Sequence, residues 1–421
     1  MTGLILFGLF AVFLVIGVPI ALALGMSTVV TLFYMDLSVA VVGQRMFTAL
    51  DSTSIMAIPL FVLAGNLMTY GGISRRIVEL AGSIVGGVRG GLFYVMVISC
   101  AFFAALSGSA PATVIAIGTM LYPEMVSRGY PKERAAGLLV CAGGLGPIIP
   151  PSIIMVIYGT LTSSSIGDLF KGGLVTGLML TGVLFIVCVY LSKKENWPKS
   201  TEKLNLRSLL VAFKNSFLAI LLPIFVLGGI YSGITTPTES AAVAAVYAFI
   251  VGVFIYRELP LKKLYKVLID SSIGSAIVLF IMATSNAFSW LFTFAGISQA
   301  LIDFINAMQL SATAFCILIA IVLLIFGIFL EGIATIVLLV PLLWPVAESL
   351  GINVIHFGMI VCIANVIGAM TPPVAVIIFA ASSVTKLTMG QVAKGQMPFY
   401  LGYLAVFFLV VLVPWFSLAL I

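Results

Sequence analysis

The sequence predicts an all-α polytopic membrane protein built from two copies of one unit. Three observations carry that prediction. Hydrophobic residues make up 62% of the 421-residue chain and charged residues 8%. A soluble domain carries roughly 25% charged residues, so this composition cannot cover a water-facing surface. Second, one helix-breaking pattern occurs twice: Gly146 with Pro150-Pro151 returns as Gly368 with Pro372-Pro373. The offset from Pro150 to Pro372 also carries Ala112-Thr113 onto Ala334-Thr335 and Pro123 onto Pro345. Third, of the 20 Lys and Arg residues, all but Arg45 and Lys171 fall on one side of the predicted membrane. Helix breakers at matching positions in two halves of a membrane protein point to a transport site. The chain therefore reads as a transporter, not an enzyme, an anchor or a receptor.

A spanning helix needs about 20 apolar residues. Spans are predicted at 2–18, 19–36, 52–70, 132–163, 167–193, 216–233, 237–257, 270–294, 354–385 and 398–420. Two apolar pairs, 90–126 and 311–347, fold about polar or glycine-bearing tips: Ser107-Gly108-Ser109 in one, Glu331-Gly332 in the other. Their legs are ~20–28 Å long as helix, so several fall short of a ~30 Å hydrocarbon core. They are predicted to be re-entrant hairpins, with pairs of short spans as the alternative.

Lys and Arg concentrate in cytoplasmic loops. Segments 71–89, 127–134, 193–215, 257–269 and 386–397 hold Arg75, Arg76, Arg89, Arg128, Lys132, Arg134, Lys193, Lys194, Lys262 and Lys263, among others. Both termini are then outside, the first hairpin enters from the cytoplasm and the second from outside. Pro19 corresponds to Pro237, and Gly72-Ile73-Ser74 to Gly296-Ile297-Ser298. Five spans separate equivalent points, which inverts the second copy. The interfacial segment 73–89 carries Arg75, Arg76 and Arg89, whereas 297–310 has no Lys or Arg. Met1-Thr2-Gly3-Leu4 lacks a basic start, so no cleaved signal peptide is expected.

The chemistry is expected at the breaks. Residues 132–163 would run ~48 Å as straight helix. Gly143-Gly144, Gly146, Pro147 and Pro150-Pro151 interrupt them. Proline removes an amide donor and clashes with the preceding turn, and unwound backbone in lipid must line a site or pack in protein. Asn365, Gly368, Met370, Thr371 and Pro372-Pro373 are expected to unwind likewise. Each break should face the tip of its own half, Ser107–Thr113 or Leu330–Thr335. Freed carbonyls with Ser and Thr hydroxyls suit a hard cation, and helix N-termini suit a carboxylate. Two such sites imply two coupling cations, read as sodium. Protons are the rival, but a proton relay needs intramembrane Asp, Glu or His. Only Glu331 and Glu239 qualify, and Glu331 has Ser109 as its counterpart.

Other features take plainer readings. The five cysteines (Cys100, Cys141, Cys188, Cys316, Cys362) lie in apolar stretches as core residues. His356 reads as a loop-to-helix boundary residue, and no transition-metal cluster or nucleic-acid partner is expected. Ala241-Ala242 and Ala244-Ala245 predict close helix packing. Trp197, Trp290, Trp344 and Trp415 read mostly as interface anchors. The basic loop 193–214, with Lys203 and Arg207, fits positive-inside bias and contact with the lipid bilayer. No GxxxxGK[ST] motif is present, which disfavours an ATP-driven pump. A channel or a non-transporting assembly subunit remains as a different class of reading.

The tip Ser107–Thr113, the break Gly143–Ser152, the tip Glu331–Thr335 and the break Gly368–Pro373 resemble the large membrane subunit of tripartite ATP-independent periplasmic (TRAP) transporters, most similar to the sialic-acid type. The resemblance covers essentially the whole chain. It implies an ion-transporter-superfamily fold, an inverted repeat of five spans plus one re-entrant hairpin each, moving as an elevator. It implies sodium-coupled import of an organic acid through a bacterial inner membrane. It also implies two partners, a small four-helix membrane subunit and a periplasmic substrate-binding protein. Because the chain begins directly at the large subunit, the small one is expected to be separate.

By the same resemblance the first sodium site takes Ser107, Gly108, Ser109, Thr113, Gly143, Gly144, Gly146 and Pro147. The second takes Glu331, Gly332, Thr335, Gly368, Met370 and Thr371, with substrate between them. Residues 1–89 and 194–310 would be scaffold with arms, 90–193 and 311–421 the transport parts, and Gly86-Gly87 a hinge. A standalone sodium–dicarboxylate or anion symporter of the same superfamily is the alternative.

Overall fold

The computed structural model describes residues 2–85, 88–199, 206–373 and 375–421. The expected hinge Gly86-Gly87 and the basic-loop residue Lys203 lie outside them. The described chain is helical; its one strand-like feature is an isolated bridge between Arg89 and Lys199. Among the described residues, eight helices are long and apolar enough to cross a membrane.

The first half runs α1 (Thr2–Val15), α2 (Ile20–Tyr34), α3 (Ala40–Leu50), α4 (Ala57–Tyr70) and α5 (Ile73–Ile84). The hairpin α6 (Gly91–Ser107) and α7 (Ala110–Ser127) follows, then a broken helix of α8 (Lys132–Gly143) and α9 (Ile153–Thr162), then α10 (Ile166–Lys194). The second half has one helix fewer ahead of its hairpin: α11 (Leu206–Tyr231), α12 (Pro237–Ile250), the long α13 (Leu261–Phe294) and α14 (Ile297–Ala307). Its hairpin is α15 (Ala312–Phe329) and α16 (Gly332–Ser349), its broken helix α17 (Val354–Ala369) and α18 (Val376–Thr385). The chain ends with α19 (Met389–Leu412) and the short α20 (Trp415–Leu418).

The matched glycines behave alike. Gly72 and Gly296 have φ of 79° and 72°, and each turns the chain into the helix that starts at the next isoleucine. In α5, Ile73, Ile77, Leu80 and Ala81 are buried while Arg75 is exposed, an amphipathic helix. Arg75 and Arg76 both reach Glu258, at 2.8 and 2.9 Å, and tie this helix to the connection between α12 and α13. Ala241, Ala244, Ala245 and Ala248 are buried where α12 packs on α4, as the small residues predict.

Polar contacts link distant connections and helix ends in two groups. Arg134 binds Glu195 and the Gly395 carbonyl, and Arg89 binds Asn196. In the other set, Thr238 donates to the Thr53 carbonyl, Tyr158 to that of Val354, and Arg45 lies over the Trp290 ring. His356, in the first turn of α17, pairs with Ser417 at 3.1 Å. The five cysteines are buried.

Several expectations need correction. Residues 40–50, expected as a connection, form α3. Helices α11, α13 and α19 start before their apolar cores, because Lys and Arg are good helix formers whose stems cover apolar surface. The hairpin legs are 17 to 18 residues long, uniform where uneven ones were expected. Asn365 and Gly368 remain in helix, so the second break begins only at Met370. Trp197 is not an interface anchor: it is 2% exposed, stacks on Phe93 with centroids 3.8 Å apart, and donates to Glu195 at 2.9 Å.

One contact ties α13 to the second hairpin. Pro341 has no N–H to give the Val337 carbonyl one turn back, and the Ser285 hydroxyl donates to that carbonyl at 2.7 Å. Ser285→Ala leaves a buried carbonyl without its donor, a loss of about 1–3 kcal/mol. Thermal unfolding of the purified variant should show a lower Tm; an unchanged Tm would mean another donor serves Val337.

Candidate functional site

The two hairpin tips are built alike. In the first, α6 ends at Gly108, whose φ of 59° is left-handed, and Ser109 turns the chain into α7. The Thr113 N–H and hydroxyl both donate to the Ser109 carbonyl, at 3.1 and 2.8 Å. In the second, the Thr335 N–H and hydroxyl both donate to the Glu331 carbonyl, at 2.9 and 3.1 Å. These residues are related by the offset found in the sequence. Ser107 adds a contact that the second tip lacks, its hydroxyl lying 3.0 Å from that of Thr113.

The breaks follow from where prolines remove donors. Pro147 cannot serve the Gly143 carbonyl, which instead accepts from the Gly146 N–H at 3.0 Å, and α8 ends there. Pro150 and Pro151 likewise remove the regular donors of the Gly146 and Pro147 carbonyls. The Ser152 hydroxyl donates to Pro147 and accepts the Met155 N–H at 3.4 Å, capping α9. In the second break, Pro372 and Pro373 remove the donors of Gly368 and Ala369. The Thr371 N–H turns back to the Gly368 carbonyl at 2.9 Å, a tighter closing turn.

Each tip packs on the break of its own half. A Cβ on Gly146 would lie 2.8 Å from the Ser109 carbonyl oxygen, and one on Gly108 would lie 3.0 Å from that of Pro151. The Asn365 amide donates to the Gly332 carbonyl. Gly368 meets Gly327 of α15 backbone to backbone. The halves also interlock, since α18 packs on α7 and α9 packs on α16.

Between the tips lies a cavity of about 160 Å³. The first turns of four helices open onto it: Ala110 and Pro111 of α7, Ile153 and Ile154 of α9, Gly332 and Ile333 of α16, Val376 and Ile377 of α18. Helix N-termini carry roughly +0.5 of a charge each and present unpaired N–H groups. Ser109, Glu331 and Asn365 supply the polar side chains, and no Lys, Arg or His is among the described lining residues. The helix ends favour an anion without a fixed cationic side chain, against the Glu331 carboxylate in the same wall. Both tips reach one cavity.

Of the expected site residues, Gly108, Ser109, Pro147, Glu331 and Gly332 line this cavity. Ser107, Thr113 and Thr335 stand behind it, shaping the tips. Gly143 and Gly144 pack on the side chains of Val114 and Met370, and Gly368 on α15. The Thr371 hydroxyl pairs with Tyr400 at 2.8 Å and the Met370 carbonyl accepts from Gln396 at 2.8 Å, so both face α19 and not the second tip. Sequence reasoning placed Asn365 in the second break but not its bond to the second tip, and left out Ser152 as the cap of α9 and the α19 residues. A serine directly after Pro150-Pro151 was the available signal for the cap.

Over residues 7–416 the chain matches the family described as "Tripartite ATP-independent periplasmic transporter, DctM component". It is 40% identical to the C4-dicarboxylate TRAP transporter large permease protein DctM of Rhodobacter capsulatus, covering 100% of this chain and 99% of that one. To the sialic acid TRAP transporter large permease protein SiaM of Vibrio cholerae it is 33% identical, over 90% and 88% of the two chains. Among solved structures, the Alcanivorax borkumensis YdaH transporter superposes with a TM-score of 0.63 at 13% identity, covering 90% of this chain and 89% of that one.

Proposed function

The chain belongs to the DctM-component family of tripartite ATP-independent periplasmic transporters, and from that premise we propose that it imports a small organic acid coupled to sodium. The observation that carries the reading is the cavity lined by four helix N-termini, with no cationic side chain among its described lining residues. A carboxylate is bound there by amide hydrogen and helix dipole.

The backbone carbonyls and the Ser109 hydroxyl beside it are hard oxygens that suit an alkali cation, as does the Glu331 carboxylate in the same wall. The carbonyls of Gly146 and Ala369, which lose their donors to Pro150 and Pro373, with the Ser109 hydroxyl, are the favoured sodium ligands. Bound sodium would supply positive charge that helps hold the acid between the two breaks.

A compact acid such as a four-carbon dicarboxylate is in keeping with the 40% identical relative. A sialic acid has support from the 33% identical relative. Segments 90–193 and 311–421 contain every lining residue of the cavity, which favours their moving together, elevator-like, against 1–89 and 194–310. In this reading the halves are inverted, both termini face the periplasm, and the basic segments face the cytoplasm of a bacterium. A small membrane subunit and a periplasmic substrate-binding protein complete the tripartite system.

Liposomes holding the chain and its small partner, with binding protein outside, are expected to take up labelled succinate only under an inward sodium gradient. Equal uptake in potassium alone, driven by a pH gradient, would replace sodium with protons. Uptake by the chain alone would favour a standalone symporter.

A further inference from the structure

The two breaks are separated in sequence and belong to different halves, yet one helix holds both. Gln396, Tyr400 and Tyr403 lie on one face of α19, at the i, i+4 and i+7 positions of a helix. Tyr403 is fully buried, and its phenol donates to the Cys141 carbonyl in the last turn of α8 at 2.8 Å. That carbonyl's regular partner, the Leu145 N–H, has turned to Ala142 as the helix ends. Gln396 is 2% exposed, and its amide donates to the Met370 carbonyl at the end of α17. Pro373, three residues on from Met370, has no N–H to offer. Tyr400 sits between them and pairs with the Thr371 hydroxyl.

Packing makes this face rigid. Backbones touch where α8 crosses α19: a Cβ on Gly395 would fall on the backbone of Glu133, and one on Gly137 on that of Gln396. The Arg134 guanidinium also donates to the Gly395 carbonyl at 3.2 Å. The Gln396 amide oxygen is buried without a hydrogen-bond partner. An apolar residue would fill that space at lower cost, so the bond to Met370 is what the glutamine contributes.

We propose that α19 couples the two cation sites. Gln396 and Tyr403 are positioning residues: they set the ends of α17 and α8, and a shift at one break is passed to the other through a helix that both grip. The inference rests on the sodium reading above. It adds that binding at the two breaks is cooperative through α19.

The test is the sodium dependence of uptake in the reconstituted complex, with Tyr403→Phe, Gln396→Met and the double variant. Phe407→Leu serves as control, equally buried on α19. Each single variant should raise the half-saturating sodium concentration roughly three- to tenfold, the scale of one buried hydrogen bond. The double variant should bring the Hill coefficient from near two to near one. Phe407→Leu should lower the Tm and leave the sodium curve in place. Variants that lower only the Tm or the maximal rate, with half-saturation and Hill coefficient kept, overturn the coupling role while leaving sodium coupling intact. Wild-type uptake indifferent to sodium overturns both.

Discussion

Gly146→Leu is expected to abolish uptake, with a fall of at least ~100-fold in initial rate. The new Cβ would lie 2.8 Å from the carbonyl carbon and oxygen of Ser109 and 3.0 Å from the Ala110 nitrogen. Those are backbone atoms of a hairpin tip and cannot rotate away as a side chain would. Overpacking of this kind costs about 1–3 kcal/mol, and each 1.4 kcal/mol is about tenfold. The remaining branches of leucine must then move the tip bodily. Ala110 opens α7, so displacing it also removes one of the four N-termini that make the cavity attractive to an anion. Gly368→Leu is expected to act alike, since its Cβ would lie 2.6 Å from the Gly327 carbonyl carbon. The effect comes from separating hairpin and broken helix, not from filling the space of an ion. Gly146→Ala should give an intermediate rate. Uptake by liposomes, normalised to folded protein by size-exclusion profile, checks the series; near-wild-type transport by Gly146→Leu would show that tip and break need not touch.

The paired breaks were legible because proline and glycine act on backbone within a few residues of themselves. Their boundaries follow from the same chemistry. Pro147 takes the donor from Gly143, so α8 stops early. The matching position in the second half is Ala369, which has an N–H, so α17 continues through Asn365 and Gly368 until Pro372 and Pro373 intervene. The tips were legible from Ser107-Gly108-Ser109 and Glu331-Gly332. The α19 face was not. Gln396, Tyr400 and Tyr403 stand in an apolar run, and two of their partners are backbone carbonyls, which every residue carries. No local pattern shows that Tyr403 reaches Cys141 across 262 positions of chain. Trp197 misled for a related reason: proximity to a span end does not reveal that Phe93 waits to cover it.

A single added charge should test the cavity more directly than any change of size. Asn365 is 4% exposed and its amide donates to the Gly332 carbonyl at the second tip. Asn365→Asp keeps the shape, removes that donor and sets a carboxylate beside Glu331 in the wall. The attraction for an anion comes from partial charges of roughly +0.5 at each of the four helix ends; the Glu331 carboxylate already stands in this wall, so a second full negative charge offsets what attraction is left. The lost bond alone accounts for ~1–3 kcal/mol, and repulsion of the substrate carboxylate adds to it. The half-saturating substrate concentration should rise at least ~30-fold at fixed sodium. Asn365→Ser removes the donor without adding charge and should shift it roughly three- to tenfold. Uptake kinetics over a range of succinate concentrations separate the two effects. Equal shifts for the aspartate and serine variants would mean that the acid does not sit among the four helix ends, and the anion site would have to be sought elsewhere in the chain.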